Sequence, residues 1–448
     1  MVVSRDKAPT AQETFMQMAQ AAGLRGRLLV TIGLLILVRL GVHIPIPGID
    51  RVRFAQDIQN SPVIGFLDIF SGGGISAVGI FALGILPYIN ASIILQLLTA
   101  AIPSLENLQK NEGEAGRRKI SQITRIVSLG WALVQSIGIA LWVQRYAIAG
   151  NTGFIFIAQT ALALTAGSMF VMWVSELVTE RGIGNGASLL IFINIVSVLP
   201  RSLGQTLELA QTGDREILGR VIILLLVFLV MIVGIVFVQE GTRRIPIISA
   251  RRQVGRRLYR ERTSYLPLRL NQGGVMPIIF ASAVLVLPAS LAQFTQNSAD
   301  KPFLGTLHQF FNQAANYLSP TGQTPWLYVA FYVFLIVFFS YFYASLIINP
   351  VDMSQNLKKM GASIPGIRPG STTSDYIERV LNRLTLLGAI FLGLVAIVPT
   401  AVESTIGVTT FKGLGATSLL IIVGVAIDTA KQIQTYVISQ RYEGMVKQ

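Results

Sequence analysis

The sequence predicts an all-α membrane protein of about ten transmembrane helices, and three observations carry that prediction. Of its 448 residues, 52% are hydrophobic and only 13% are charged, about half the roughly 25% usual in soluble domains. Mean hydropathy is +0.60, and many apolar stretches reach the ~20 residues that cross a ~30 Å hydrocarbon core. The cations between those stretches are distributed unevenly, as the orientation rule for membrane proteins requires.

Hydropathy places the spans near 28–46, 78–100, 123–145, 154–177, 184–200, 218–239, 273–293, 326–348, 384–401 and 414–432. The stretch before them, "MVVSRDKAPTAQETFMQMAQAAGLRGR", is mostly polar and has no signal-peptide core before Leu28. It reads as a cytosolic tail, 1–27, ending in a short amphipathic helix. With that tail inside, 27 of the 36 Lys and Arg fall on the cytosolic side, eight on the outer side, and Arg39 within the first span. Both termini are then cytosolic, and the even span count agrees. This asymmetry explains most of the net charge of +14, which therefore does not point to nucleic acid.

After the first span comes "VIGFLDIFSGGGISAVG", 63–79. It is too short to cross a membrane and too apolar for a solvated loop. A re-entrant half-helix with a glycine hinge fits, because irregular backbone at membrane depth must be buried or line a cavity. An interfacial helix on the outer surface is the other reading. The next span, "GIFALGILPYINASIILQLL" at 79–98, carries Pro87 near its centre, followed by Tyr88 and Asn90, with Gln96 close to its end. An interior proline removes a backbone hydrogen bond and predicts a kink, and the amides need partners. The two segments together suggest a broken helix around a pathway.

Two cytosolic loops exceed what orientation requires. Residues 242–270, "TRRIPIISARRQVGRRLYRERTSYLPLRL", hold nine cations and one acid, Glu261. The alternation in "RRIPII" and "SYLPLRL" predicts a β-hairpin. Residues 349–383 place Arg368 between Gly366 and Pro369-Gly370. Loops of ~30 residues are uncommon without a task, and a docking platform for a large anionic or mixed partner suits both.

Catalytic signatures are missing. The chain has no cysteine and only two histidines, His43 and His308, so no thiolate chemistry and no histidine metal site is expected. There is no P-loop lysine motif, HExxH pair or nucleophile elbow. "SGGG" and "RGIGNGAS" are glycine-rich, but neither follows a strand, so phosphate binding is not expected. The reading is a non-enzyme without cofactor. Two function classes fit: a secondary transporter binding a small solute at broken helices, and a channel. Transporters usually carry ionisable groups within their spans, and here only Arg39, Glu176 and Asp428 stand out. Their scarcity favours the channel.

Six collinear stretches, "DIFSGGGISAVGIFALGILPYINASIILQLL", "ERGIGNGASLLIF", "RRIPI", "NQGGVMPIIFAS", "GIRPG" and "GATSLLIIV", closely resemble the SecY family of protein-conducting channels, in its bacterial or plastid branch. The resemblance runs from about residue 25 to 445. It implies two pseudo-symmetric five-helix halves closing like a clamshell, with spans one to five in 28–200 and spans seven to ten in 273–432. Span six and its basic loop join them at 201–272, and a cytosolic tail closes the chain at 433–448. It implies an external plug at Ile64, Gly65, Phe66, Leu67, Asp68, Ile69, Phe70, Ser71, Gly72, Gly73 and Gly74. An aliphatic constriction is implied at Ile85, Ile89, Ile191, Ile195, Ile279 and Ile421, with a lateral gate whose polar cluster is Asn90, Gln135 and Asn271. Cytosolic docking falls to Arg243, Arg244, Arg256, Arg257 and Arg368. The implied partners are the small membrane subunits SecE and SecG, the motor ATPase SecA, the ribosome with its RNA, signal peptides, nascent polypeptides and membrane lipids. The implied location is a bacterial inner membrane, or a thylakoid. The expected activity is passage of unfolded secretory polypeptides through a passive pore, with sideways release of transmembrane segments.

Overall fold

Each of the ten predicted spans coincides with a helix in the structure, a computed structural model that describes residues 22–51, 53–54, 68, 71–148, 153–212, 215–249, 252–254, 257–259, 263–295, 302–318, 325–406 and 416–446. In chain order the helices at the spans are α1 (Ala22–Val42), α2 (Leu86–Ala101), α4 (Gly113–Val143), α5 (Phe154–Arg181), α6 (Gly186–Thr212), α7 (Arg215–Glu240), α8 (Met276–Thr295), α10 (Pro325–Ile347), α12 (Ser371–Ile406) and α13 (Ala416–Val446). Between them lie α3 (Pro103–Asn111), α9 (Pro302–Tyr317) and α11 (Pro350–Lys359). Among the described residues, six helices are by themselves long and apolar enough to cross a membrane. One of them, Ile217–Glu240 within α7, rises roughly 36 Å at 1.5 Å per residue. It exposes Ile222, Leu226, Leu229, Val233 and Phe237, an apolar face that suits lipid and not water.

Three sequence expectations change. Residues 22–27, assigned to the tail, are the first turn and a half of α1, and the rest of the tail with its expected short helix, 1–21, lies outside the described residues. Pro87 is not central to its helix. Residues 78–85 form turns, and α2 begins at Leu86, with Pro87 in its first turn. There the missing N–H costs nothing and the fixed φ favours helix initiation. The sharp change of direction comes at the other end, where Ile102 is extended between α2 and α3 and the two axes differ by 106°. Finally, α4 and α12 extend beyond their predicted spans at their N-terminal ends.

The chain divides into two compact units, Met1–Gly204 with Ala289–Asn312 and Val425–Gln448, and Gln205–Pro288 with Gln313–Gly424. In the first, a core forms from Ile46, Ile49 and Phe54 after α1, Val78 and Leu83 before α2, and Phe156 and Leu164 of α5. Phe54 lies edge-on to Trp142 and Tyr146, with ring centroids 5.1 and 5.2 Å away. A second cluster joins Leu24, Ile183 and Val437, and the Arg27 guanidinium stands 5.0 Å above the Tyr436 ring. The glycine-rich "RGIGNGAS" proves to be the turn between α5 and α6. The Asn185 side chain accepts from the Ala187 N–H at 3.0 Å, capping α6. Thr31 of α1 accepts from the Ile183 N–H at 3.0 Å.

The second unit contains the strands β1 (Thr242–Ser249), β2 (Arg252–Val254), β3 (Arg257–Tyr259), β4 (Thr263–Arg269) and β5 (Ala362–Ser363). The expected hairpin forms. β1 and β4 are antiparallel from Thr242↔Arg269 to Ile248↔Thr263, with β2 and β3 pairing at the turn end. β5, from the other basic loop, adds to the free edge of β1 through Ile248↔Ser363 and Ser249↔Ala362. Ile245, Ile247 and Leu268 of this sheet share a core with Leu357 of α11, Ile364, and Ile377, Val380 and Leu381 of α12. The two basic loops are therefore one folded body.

Candidate functional site

The segment that enters α2 is irregular throughout, yet densely bonded. Of the residues assigned to the plug, Asp68 and Ser71–Gly74 are described, whereas Ile64, Gly65, Phe66, Leu67, Ile69 and Phe70 lie outside the described residues. The Asp68 carboxylate accepts from the Ser76 N–H at 2.9 Å, from the Ser76 hydroxyl, and from the Ser71 hydroxyl at 3.3 Å. The Gly73 N–H donates to the Asp68 carbonyl at 2.9 Å. Gly72 and Gly73 adopt φ of +69° and +87°, values that favour glycine. Val78 is at φ +48°, a strained position for a β-branched residue. The stem is tied down on two sides. Ile46 N–H donates to the Val78 carbonyl at 3.0 Å, Ile80 N–H to the Ile44 carbonyl at 2.9 Å, and Ser168 of α5 to the Gly84 carbonyl at 3.2 Å.

Sequence reasoning left Arg39 without a role. In the structure its Nη1 donates to the Gly72 carbonyl at 2.8 Å. Glu176, the second ionisable group noted within the spans, meets Arg125 of α4 at 2.8 Å. That pair joins α4 to α5 and leaves Glu176 engaged in a structural contact.

The six isoleucines assigned to the constriction are all buried, at 5% exposure or less. Ile85 and Ile89 stand at the start of α2, and Ile191 and Ile195 lie one turn apart on α6, so each pair shares one helix face. These four belong to the first compact unit. Ile279 of α8 and Ile421 of α13 belong to the second. Beside Ile279, Phe280 packs on Phe339 and Tyr343 of α10, at 5.8 and 5.1 Å between centroids. Burial alone is shared with isoleucines such as Ile235 and Ile377, so nothing in their sequence pattern could have singled these six out.

Of the amides assigned to the lateral gate, Asn90 is half-buried on α2 and Gln135 is buried on α4. The Gln135 Oε1 has no hydrogen-bond partner among the described residues. Asn271 is buried in the second unit, and its Nδ2 donates to the Gly274 carbonyl at 2.8 Å. Gly388 permits this loop its position: a Cβ there would lie 2.7 Å from the Leu270 carbonyl oxygen.

On the sheet-and-helix body, Arg243 and Arg244 project from β1 and are exposed, while Ile245 and Ile247 turn inward. Arg257 begins β3, and Arg256 lies outside the described residues. Arg368 is exposed on a tight loop between Gly366 at φ +79° and Gly370 at φ +120°. The Arg368 carbonyl accepts from Thr373 Oγ1 at 2.8 Å, and the Gly370 carbonyl from Ser354 Oγ at 2.6 Å. The backbone at this arginine is therefore fixed on both sides. Among the described residues, no group of three or more His, Cys, Asp or Glu could hold a metal ion.

Comparison with known proteins bears on the family and the fold. A family profile described as SecY matches residues 79–430. The protein translocase subunit SecY of Synechococcus elongatus is 73% identical over the full length of both chains. Among solved structures, one described as a protein-conducting channel superposes with a TM-score of 0.62 at 18% identity, covering 92% of each chain. Sec61 in the canine ribosome–channel complex from the endoplasmic reticulum superposes with a TM-score of 0.59 at 17% identity, again over 92% of each. At those identities the structures speak for the fold alone. The full-length identity to a SecY protein and the profile match speak for descent, and the chain belongs to the SecY family.

Proposed function

We infer that this chain is the central subunit of a protein-conducting channel, passing unfolded polypeptides across a membrane and releasing apolar segments sideways into lipid. The observation that carries the reading is the 73% identity, over its whole length, to a protein translocase subunit. The chemistry suits the task. A pore for any sequence must not bind its cargo, and fixed charges or hydrogen-bond donors on its walls would stall some chains. A ring of aliphatic side chains at Ile85, Ile89, Ile191, Ile195, Ile279 and Ile421 would exclude water by dewetting and adapt to whatever passes. Residues 64–74 would seal it from outside. Asn90, Gln135 and Asn271 would set the threshold for sideways opening, because amides parted from one another face hydrocarbon. A solute transporter is not supported.

The driving force comes from partners, since the chain carries no nucleotide-binding motif. The exposed arginines Arg243, Arg244 and Arg368, on one sheet-and-helix body, suit an anionic partner such as the ribosome, the company in which the canine Sec61 structure was solved. SecA would use the same body, with Arg256 and Arg257. SecE and SecG complete the channel, and the home is a bacterial inner membrane or a thylakoid with both termini cytosolic.

The test is conductance in planar bilayers. The assembled wild-type channel should be nearly silent, and a variant lacking residues 64–74 should open frequently. If both stay silent while a radiolabelled small solute accumulates against its gradient, the channel reading fails.

A further inference from the structure

Arg39 occupies the last turn of α1, where the helix C-terminus by itself favours a cation. Its guanidinium nevertheless reaches a carbonyl 33 residues further on, that of Gly72, at 2.8 Å. A charge at membrane depth is costly and persists where it has a use, and a hydrogen bond from a charged donor is about twice as strong as a neutral one. We propose that Arg39 is the latch of the plug: by gripping the Gly72 carbonyl from α1, it fixes the Ser71–Gly74 end of the assigned plug and sets the balance between sealed and open channel. The inference rests on the plug reading above.

The neighbouring glycines divide the work. A Cβ at Gly72 would lie 2.5 Å from Arg39 Nη1 and 2.7 Å from Asn194 Oδ1, so this backbone is held between side chains of α1 and α6. A Cβ at Gly73 would meet nothing within 4 Å. Gly72 is thus the clamped position, and Gly73, at φ +87°, is held by its own backbone bonds to the Asp68 carbonyl and the Ala77 N–H. Ser76 donates to the Asp68 carboxylate, so Asp68 and residues 71–76 are bonded into one unit. Releasing Arg39 removes the hold of α1 on this Asp68–Ser76 unit, while Val78 and Ile80 of the stem stay bonded to Ile46 and Ile44.

The experiment uses the full-length chain assembled with its small membrane subunits, in planar bilayers, comparing wild type, Arg39→Met, Arg39→Lys, Gly72→Ala and the 64–74 deletion. Loss of one hydrogen bond from a charged donor should raise the open probability about tenfold or more in Arg39→Met. Arg39→Lys keeps a donor and should fall between Arg39→Met and wild type. Gly72→Ala should open the channel without altering any charge, and it carries the test if Arg39→Met does not assemble. Arg39→Met added to the deletion should have no further effect, because a latch without a plug holds nothing. A general loosening of the bundle would instead add leak in that combination, and that result overturns the proposal. So does a deletion that opens while Arg39→Met and Gly72→Ala stay as silent as wild type, an outcome that leaves the plug reading intact. A silent deletion removes the plug reading, and the latch falls with it.

Discussion

Gly186 opens α6 against the Ser175 carbonyl, and a Cβ there would overlap that oxygen. No flexible side chain is involved, so the backbones themselves would have to part. Gly186→Ala should therefore destabilise the first compact unit by about 1–3 kcal/mol, the range for overpacking, and lower the unfolding temperature of the purified complex. An unchanged melting curve would show that the contact is looser than it looks. Gln135 presents the opposite case. Its Oε1 is buried without a partner among the described residues, and an unmet acceptor costs about 1–3 kcal/mol. Gln135→Leu, close in volume, should raise thermal stability. If Gln135 belongs to the lateral gate, it should also make export of a precursor with a weakened signal sequence harder. A fall in stability would mean that Gln135 makes a bond the closed chain needs.

At the scale of elements, the two basic loops behave as one object because two residues of β5 complete the sheet begun by β1. No propensity in "AS" announces that pairing, and it joins positions more than a hundred residues apart, so the sequence presents two loops where the structure has one body. The β1–β4 hairpin was legible, since its alternation is local. Pro87 was misplaced for a related reason: residues 79–85 are as apolar as α2 itself, and hydropathy cannot distinguish a buried run of turns from a helix. Arg368 provides the test of this body. Its loop is held by Ser354 and Thr373, so Arg368→Glu should leave the fold intact and reverse one presented charge. Motor- or ribosome-driven translocation should fall about tenfold, in keeping with a lost charge pair of about 1.4 kcal/mol, with no change in channel leak. A loss that persists equally at high salt would argue against an electrostatic contact.

For the whole molecule, the ten helices could be read from the sequence because each holds a long, mainly apolar run, the strongest pattern a chain can carry. The constriction could not, because an isoleucine in an apolar helix looks the same whether it faces a pore or a neighbour. Those six positions come from family resemblance. Arg39 was conspicuous as a charge in a span, but its partner Gly72 becomes visible only once the chain is folded. Orientation lies between these extremes: it follows from the cation count and from nothing in the packing. The chain offers an unusually clean way to test it, since it contains no cysteine and any introduced thiol is the sole target for a maleimide. Gln109 and Lys359 are exposed and lie on the side the count assigns to the cytosol, while Arg51 and Ile148 are exposed on the other. In inside-out vesicles, a membrane-impermeant maleimide should label Gln109→Cys and Lys359→Cys at once. Arg51→Cys and Ile148→Cys should react only after the membrane is permeabilised. The reverse pattern would put the basic body outside, away from any cytosolic motor or ribosome. A mixed pattern within either pair would mean that one of the ten helices does not cross.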